Sequence, residues 1–330
     1  MTRSQPGSTV AVLGECVADA FVDPRRSGPG TLALRVLPGG GPANTAVALA
    51  RLGTATRFLG RFSHDAFGGL FRAHLSDSGV DLTGSVTAAD PSSLAVADLD
   101  ETGQATYTFY GDSAADWQWT APELAGTRLD DTTCLHTGSL ALIRRPGGGR
   151  IEDHLARVRE HVTVSIDPNV RPRFVAPSAY RERLPHWCAL ADILRLSEDD
   201  LTLLAPDTSA EKACDTWHAA GARLIVITLG ERGALASLDG RRVTVPAPAT
   251  DVVDTVGAGD SFTAGLLHRL NALGHLGGRL DGLTFEDVSD ACTYAAQVAA
   301  LTCSVPGANP PHARDVARVR PAGGTNVSVV

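Results

Sequence analysis

Lysine is almost missing from this sequence: among 29 lysines and arginines in 330 residues, only Lys212 is a lysine. A Gly-Lys-Ser/Thr phosphate loop is therefore impossible, which excludes the commonest nucleotide-binding motif. Any bound phosphate must be held by backbone N–H groups, arginine or metal. Gly-x-Gly-x-x-Gly is absent after the first apolar strand, against a dinucleotide-binding dehydrogenase. Gly138-Ser139 lacks the Gly-x-Ser-x-Gly elbow of a hydrolase. The histidines, His64, His74 and His136 included, show no triad-like pairing. The six cysteines are scattered without a Cys-x-x-Cys or zinc spacing, and read as buried thiols in a reducing compartment. No apolar run nears the roughly 18 residues that span a membrane. The polar start, Met1 to Ser8, leads into only four apolar residues, too few for a signal peptide. A net charge of −8 without a basic run argues against nucleic acid. The expectation is a soluble, cytoplasmic protein with no nucleic-acid or membrane partner.

Hydrophobic residues at 43% supply ample material for a core, and the length suits one large α/β domain carrying an insertion. Short apolar runs, Val10–Leu13, Arg57–Gly60, Cys134–Thr137, Val162–Ile166, Ile193–Leu196 and Leu224–Thr228, alternate with helical patterns, as in an open parallel sheet covered by helices. Helices are expected over Ala43–Leu52, Asp65–Ser78 and Phe285–Cys303. Val17–Leu37 and Leu94–Tyr110 break the alternation and read as hairpin-like strands, the second turning at Asp100-Glu101-Thr102-Gly103. These insertions, at about 17–38 and 92–112, either form a small lid sheet or are ordinary edge strands. The residues after Arg320 read as a flexible tail.

The most informative stretch is Asp254-Thr255-Val256-Gly257-Ala258-Gly259-Asp260-Ser261-Phe262. Phe262, Leu266, Leu270 and Leu273 follow on one helical face, with Thr263, His268, Arg269 and Asn271 elsewhere. Gly257 to Gly259 thus lead into a helix N-terminus, where free N–H groups and the helix dipole attract an anion. Asp260 in the first turn is either a cap or a base that takes a proton from a hydroxyl attacking phosphate. Other polar clusters fall where ligands bind an open sheet, beyond the strands' carboxyl ends. They are Gly14 to Asp19, Pro38 to Asn44, Asp167 to Arg171, Ser197 to Asp200 and Thr228 to Gly233. Asp19 and Asn44 suit hydroxyl groups, and Ser197 suits a helix N-cap.

Together these residues resemble the ribokinase-like sugar kinases, also called the PfkB family. The Asp254–Phe262 stretch is similar to the family's C-terminal signature. Gly39-Gly40 with Asn44, continued by Gly60, Asp65, Phe67 and Gly68, is similar to the N-terminal one. The resemblance spans about Val10 to Pro311. It implies an open, mostly parallel sheet with a β-sheet lid in a single kinase domain, and transfer of the ATP γ-phosphoryl group to a sugar. It implies Asp260 as base and Gly257, Ala258 and Gly259 as anion hole. Asp19, Gly39, Gly40, Asn44, Asn169 and Arg171 would contact the sugar, and Thr228, Gly230 and Gly233 the ATP. The family's magnesium-linked Asn-x-x-Glu falls on Ser197-Glu198-Asp199-Asp200, so Glu198 and Asp200 become the Mg²⁺ candidates, with Ser197 and Asp200 departing from the motif. Asp254 and the Val256 carbonyl match a monovalent-cation (K⁺) site. Fructokinases are the nearest resemblance and fructose the implied acceptor. Tyr110-Gly111-Asp112 departs, standing where fructokinases often carry an arginine after the aromatic. The alternatives are a 2-keto-3-deoxygluconate kinase, a ribokinase, a nucleoside kinase or a non-catalytic sugar sensor. Exposed lid edges suit pairing in a homodimer, with a monomer as the alternative.

Overall fold

The computed structural model describes residues 8–99, 105–318 and 328–329. In chain order the strands are β1 (Thr9–Leu13), β2 (Val17–Val22), β3 (Leu34–Gly39), β4 (Thr56–Leu59), β5 (Arg61–Ser63), β6 (Val86–Ala88), β7 (Leu94–Leu99) and β8 (Ala105–Tyr110). They continue as β9 (Thr132–Gly138), β10 (Thr163–Asp167), β11 (Ile193–Ser197), β12 (Leu224–Thr228), β13 (Ala234–Leu238), β14 (Arg241–Val245) and β15 (Ser328–Val329). The main sheet runs β15-β14-β13-β12-β11-β10-β9-β1-β4. From β4 to β12 it is parallel, and β13 to β15 extend it antiparallel.

Side chains alternate along each strand. Val10 and Val12 enter one core layer while Ala11 and Leu13 enter the other; Leu224 and Val226 divide from Ile225 and Ile227 in the same way. Both faces are covered, so β1 and β12 read as apolar runs. The chain leaves β1 for β4 on one side and returns to β9 on the other. The β1/β9 junction is therefore a topological switch point, where a crevice opens beyond the strand ends. Gly14 and Gly138 stand there.

β3-β2-β7-β8 form a separate four-stranded sheet. Its central pair, β2 and β7, is parallel and joins the two insertions, with Ala18 opposite Leu94; the outer pairs are antiparallel. The expected turn at Asp100 to Gly103 lies outside the described residues, as does most of the expected tail, although Ser328–Val329 pairs with β14.

Three expectations change. The Arg57–Gly60 run ends at Leu59, and the chain resumes as β5, which pairs with β6. This ribbon escaped notice because Arg61 is polar; it is buried through ion pairs to Asp90 at 2.9 Å and Glu123 at 3.1 Å. The helix expected from Ala43 starts at Gly41, with Pro42 in its first turn. The helix Ala258–Ala272 is buried continuously from Ser261 to Leu267, Thr263 included, because it packs between the helices Gly41–Arg51 and Phe285–Cys303. Among the described residues no helix is long and apolar enough to cross a membrane.

Candidate active site

Gly257 is the N-cap of the Ala258–Ala272 helix, with φ +76°. A side chain there would be strained by this left-handed backbone, and its Cβ would lie 2.8 Å from Ala308. Asp260 occupies the third helical position, yet no side chain caps this helix. The carboxylate is not spent on the cap: its Oδ2 accepts from Asn44 Nδ2 at 2.8 Å, and its backbone oxygen faces the Thr45 hydroxyl at 3.4 Å. Asn44 is available because the Gly41–Arg51 helix packs directly on the Ala258–Ala272 helix. Burial raises the Asp260 pKa above the ordinary carboxylate value, the Asn44 bond, Arg171 and Arg195 opposing the rise and Asp167 adding to it. Of the first-turn donors, Ala258 N–H bonds Thr255 at 3.2 Å, which leaves Gly259 and Asp260 N–H as the donors a helix start offers an anion.

A narrow cleft in front of Asp260 is lined by Gly41, Thr45, Gly138, Ser139, Asp167 and Asn169. Asn169 adopts φ +43°, donates through its backbone N–H to Asp167 at 3.0 Å, and turns its amide toward the Ser139 hydroxyl at 3.4 Å. His136 lies beneath, its Nδ1 3.0 Å from the Ser165 hydroxyl; burial pushes its pKa down to about 3, which makes it a weak proton acceptor. Gly39 ends β3 and Gly40 caps the Gly41–Arg51 helix, so the lid strand runs straight into the cleft wall. Asp19 on β2 has its pKa raised to about 6 by burial, Arg171 opposing. Arg171 is exposed and, among the described residues, forms no ion pair; its charge acts on Glu15, Asp19 and Asp260 together.

On the far side, Thr228 opens the turn between β12 and β13, in which Gly230 and Gly233 have positive φ. Its link to the glycine helix start is Arg195. This buried side chain donates to Asp167 and to Thr228 Oγ1, each at 2.8 Å, and sits 5.8 Å from the Phe262 ring centre. A Cβ on Gly259 would lie 2.9 Å from Arg195 Nη1. Sequence reasoning passed over Arg195 because it interrupts the apolar run Ile193–Leu196; a charge in a doubly covered strand, which must be paired, was the signal available.

The Mg²⁺ candidates Glu198 and Asp200 both make protein contacts. Asp200 Oδ1 accepts from Val170 N–H at 2.8 Å, and Oδ2 accepts from Ser197 N–H at 3.0 Å and Ser197 Oγ at 2.7 Å. Ser197 and Asp200 form a capping box, so the carboxylate is committed to holding the loop after β10. Glu198 instead pairs with Arg232 at the surface. Among the described residues no three His, Cys, Asp or Glu side chains converge as a metal cage. Asp254 accepts from Val256 N–H at 3.0 Å and Gly307 N–H at 2.8 Å, and these bonds lower its pKa.

The open sheet, the small second sheet and the acid at a glycine-turned helix start define the ribokinase-like class of α/β fold. The profile of the pfkB family of carbohydrate kinases matches residues 8–314. The chain is 36% identical over 258 residues to the fructokinase of Rhizobium leguminosarum bv. trifolii, covering 77% of this chain and 78% of that one. The crystal structure of Vibrio cholerae O395 fructokinase with bound fructose, ADP and calcium superposes with a TM-score of 0.77 at 29% identity, over 92% of this chain and 95% of that one. Salmonella enterica aminoimidazole riboside kinase, complexed with aminoimidazole riboside and an ATP analogue, gives 0.76 at 25%, over 94% and 98%. The chain belongs to the pfkB family of carbohydrate kinases and is fructokinase-like in sequence and fold.

Proposed function

We infer that this protein transfers the γ-phosphoryl group of ATP to a primary hydroxyl of a hexose, with fructose as the acceptor. The observation that carries the reading is Asp260: a carboxylate of raised pKa, oriented by Asn44 and placed beside free helix N–H groups. Asp260 takes the hydroxyl proton as the oxygen attacks phosphorus. The Gly259 and Asp260 N–H groups, with Gly257 and Ala258 shaping the turn, hold the charge that develops on the moving phosphoryl group. Arg195 keeps the turn in register with Thr228 and Asp167, so the nucleotide side, with Gly230 and Gly233, and the sugar side share one rigid support. Asp19, Gly39, Gly40, Asn44, Asn169 and Arg171 hold the sugar, and the lid sheet above them excludes water during transfer.

Glu198 and Asp200 remain the residues that would hold Mg²⁺, directly or through water, where it would offset charge on the phosphates, and no step is assigned to it. Asp254, kept ionised by two N–H groups, fits a monovalent cation with the Val256 carbonyl, whose charge would steady the loop entering the glycine turn. Exposed Leu32, Leu34, Leu37 and Tyr110 on the lid and its connecting loop support a homodimer through that face. A second reading, a nucleoside kinase, is favoured by the likeness to the riboside kinase structure. An ADP-release assay with fructose, other hexoses, ribose, 2-keto-3-deoxygluconate and nucleosides decides. Turnover with fructose above the others is expected; turnover with nucleosides alone selects the second reading. No turnover with any acceptor overturns both and leaves a sugar sensor.

A further inference from the structure

A second pocket of about 400 Å³ lies between the end of β8 and the chain that leaves β9. Its walls include Asp112, Trp117, Arg144, Arg145 and Val175. The volume suits a small ligand. Arg144 dominates it. The guanidinium lies 5.6 Å from the ring centre of Phe109 and 5.1 Å from that of Trp117, so the planar fork is set in place before any ligand arrives. Those rings are themselves fixed. Trp117 Nε1 donates to the Gly111 carbonyl at 2.6 Å, and Phe109 stacks on Phe174 at 4.4 Å. Gly111 adds no side chain, and a Cβ there would run into the Phe109 ring, so the charge on this wall comes from the β9 side.

The acceptors this fork would need are not supplied by the protein. Arg144 Nε is buried and has no hydrogen-bond partner among the described residues. The carboxylate nearest its Nη2 is that of Asp112, 3.7 Å away and fully solvent-exposed, a contact of little worth. Arg145 is half exposed and reaches Glu152 at 3.4 Å, but Glu152 is already held by Arg183 and by Trp187 Nε1. The pocket wall thus carries two guanidiniums, whose carboxylate neighbours are the exposed Asp112 and the already engaged Glu152. A bidentate oxyanion is the chemistry that completes it.

We propose that this pocket is an oxyanion subsite in which Arg144, with Arg145 behind it, binds a carboxylate or phosphate group. The subsite belongs to the same end of the sheet as the Asp260 cleft. The short helix Ser139–Ile143 starts on the cleft wall and ends at Arg144, a rise of about 7–8 Å at 1.5 Å per residue. Val175 follows the Arg171 loop in the same way. The anion is therefore either the far end of an open-chain sugar acid whose hydroxyl lies at Asp260, or a separate small anion that occupies the pocket next to a neutral sugar.

The subsite does not depend on the phosphoryl-transfer reading, because its occupancy is measured without ATP. Calorimetric titrations of the full chain with inorganic phosphate and with gluconate, at low ionic strength, are the direct test. At least one should bind saturably, weaken as NaCl is added, and lose at least about tenfold in affinity in Arg144→Met, which keeps the apolar stem over the rings. Fructose competition separates the sources: an anion displaced by fructose is the acceptor's own group, and one that binds alongside fructose is a second ligand. On the unmutated protein, the same anion should protect Arg144 from phenylglyoxal, read by mass spectrometry, so a variant that fails to fold does not leave the question open. Absence of saturable binding by both anions overturns the proposal. So does unchanged affinity in Arg144→Met, or modification of Arg144 at equal rates with and without anion.

Discussion

Replacing Asp260 by asparagine separates the proton acceptor from everything else the site does. The amide keeps the size of the carboxylate and an oxygen that accepts from Asn44 Nδ2, now 2.8 Å away, so the helix contact and the sugar cleft survive. The proton acceptor does not. General-base assistance contributes roughly 10²–10⁴-fold, or about 3–5 kcal/mol of barrier at 1.36 kcal/mol per decade. The expected result is a kcat reduced by that factor with the acceptor KM within about threefold of wild type. Stability should move the other way. Burial raises the Asp260 pKa in the fold, so the folded state binds this proton more tightly than the unfolded chain. The associated stability is present at acid pH and lost as pH rises through the folded pKa. A neutral amide escapes that loss, so Tm at pH 8 should equal or exceed that of the wild type. The assay is steady-state ADP release with fructose, alongside thermal melts of both proteins. A near-wild-type kcat in Asp260→Asn would refute the base assignment. A large loss of kcat accompanied by an equally large loss of Tm would refute the claim that the substitution is local.

In the wild type, kcat/KM should fall on the acid side with a midpoint above the ordinary carboxylate range; Asn44→Ala removes a bond that favours the ionised form, so it should carry that midpoint to higher pH. Gly257→Ala forces alanine into φ +76° against Ala308; a loss of about 1–2 kcal/mol should appear as a lower denaturant midpoint, and kcat should drop because the turn's donors shift. Arg195→Met leaves Asp167 buried without its partner, for which about 3–5 kcal/mol of destabilisation is expected from chemical denaturation, together with a raised KM for ATP. Asp116, which accepts from Cys16 N–H at 3.0 Å and the Ser93 hydroxyl at 2.8 Å where the lid strands meet the main sheet, has a pKa raised to about 7 by burial, with Glu15 adding to the rise. Its proton contributes stability below the ordinary carboxylate value that is lost toward pH 7 and above. Asp116→Asn should therefore flatten the fall of Tm between about pH 4 and 8, since a hydroxyl can reverse its role toward an amide.

Local rules made much of this protein legible before any coordinates. Strands buried on both faces cannot tolerate polar residues without partners, so β1 and β12 announce themselves as apolar runs. Glycine at a left-handed helix start leaves as plain a mark at Gly257. Capping chemistry is local as well, and Ser197 with Asp200 closes the box that the spacing implies. The same logic hid β5 and Arg195, because a buried charge looks like a surface residue until its partners are known, and those partners, Glu123 for Arg61 and Asp167 for Arg195, lie far along the chain.

What the sequence by itself determined is a mostly parallel sheet, two strand-rich insertions, a helix that starts on a glycine turn, and the impossibility of a lysine phosphate loop. These follow from periodicity, backbone freedom and composition, which act over a few residues at a time. Tertiary structure alone decided that Asp260 is oriented by Asn44 instead of capping its helix, that Asp200 is consumed by the loop after β10, and that Arg144 meets two aromatic rings with a donor to spare. Each is a matter of which distant oxygen or ring lies within about 3–6 Å of a side chain. That distance is set by how two layers of helices pack on the sheet, and no spacing along the chain encodes it.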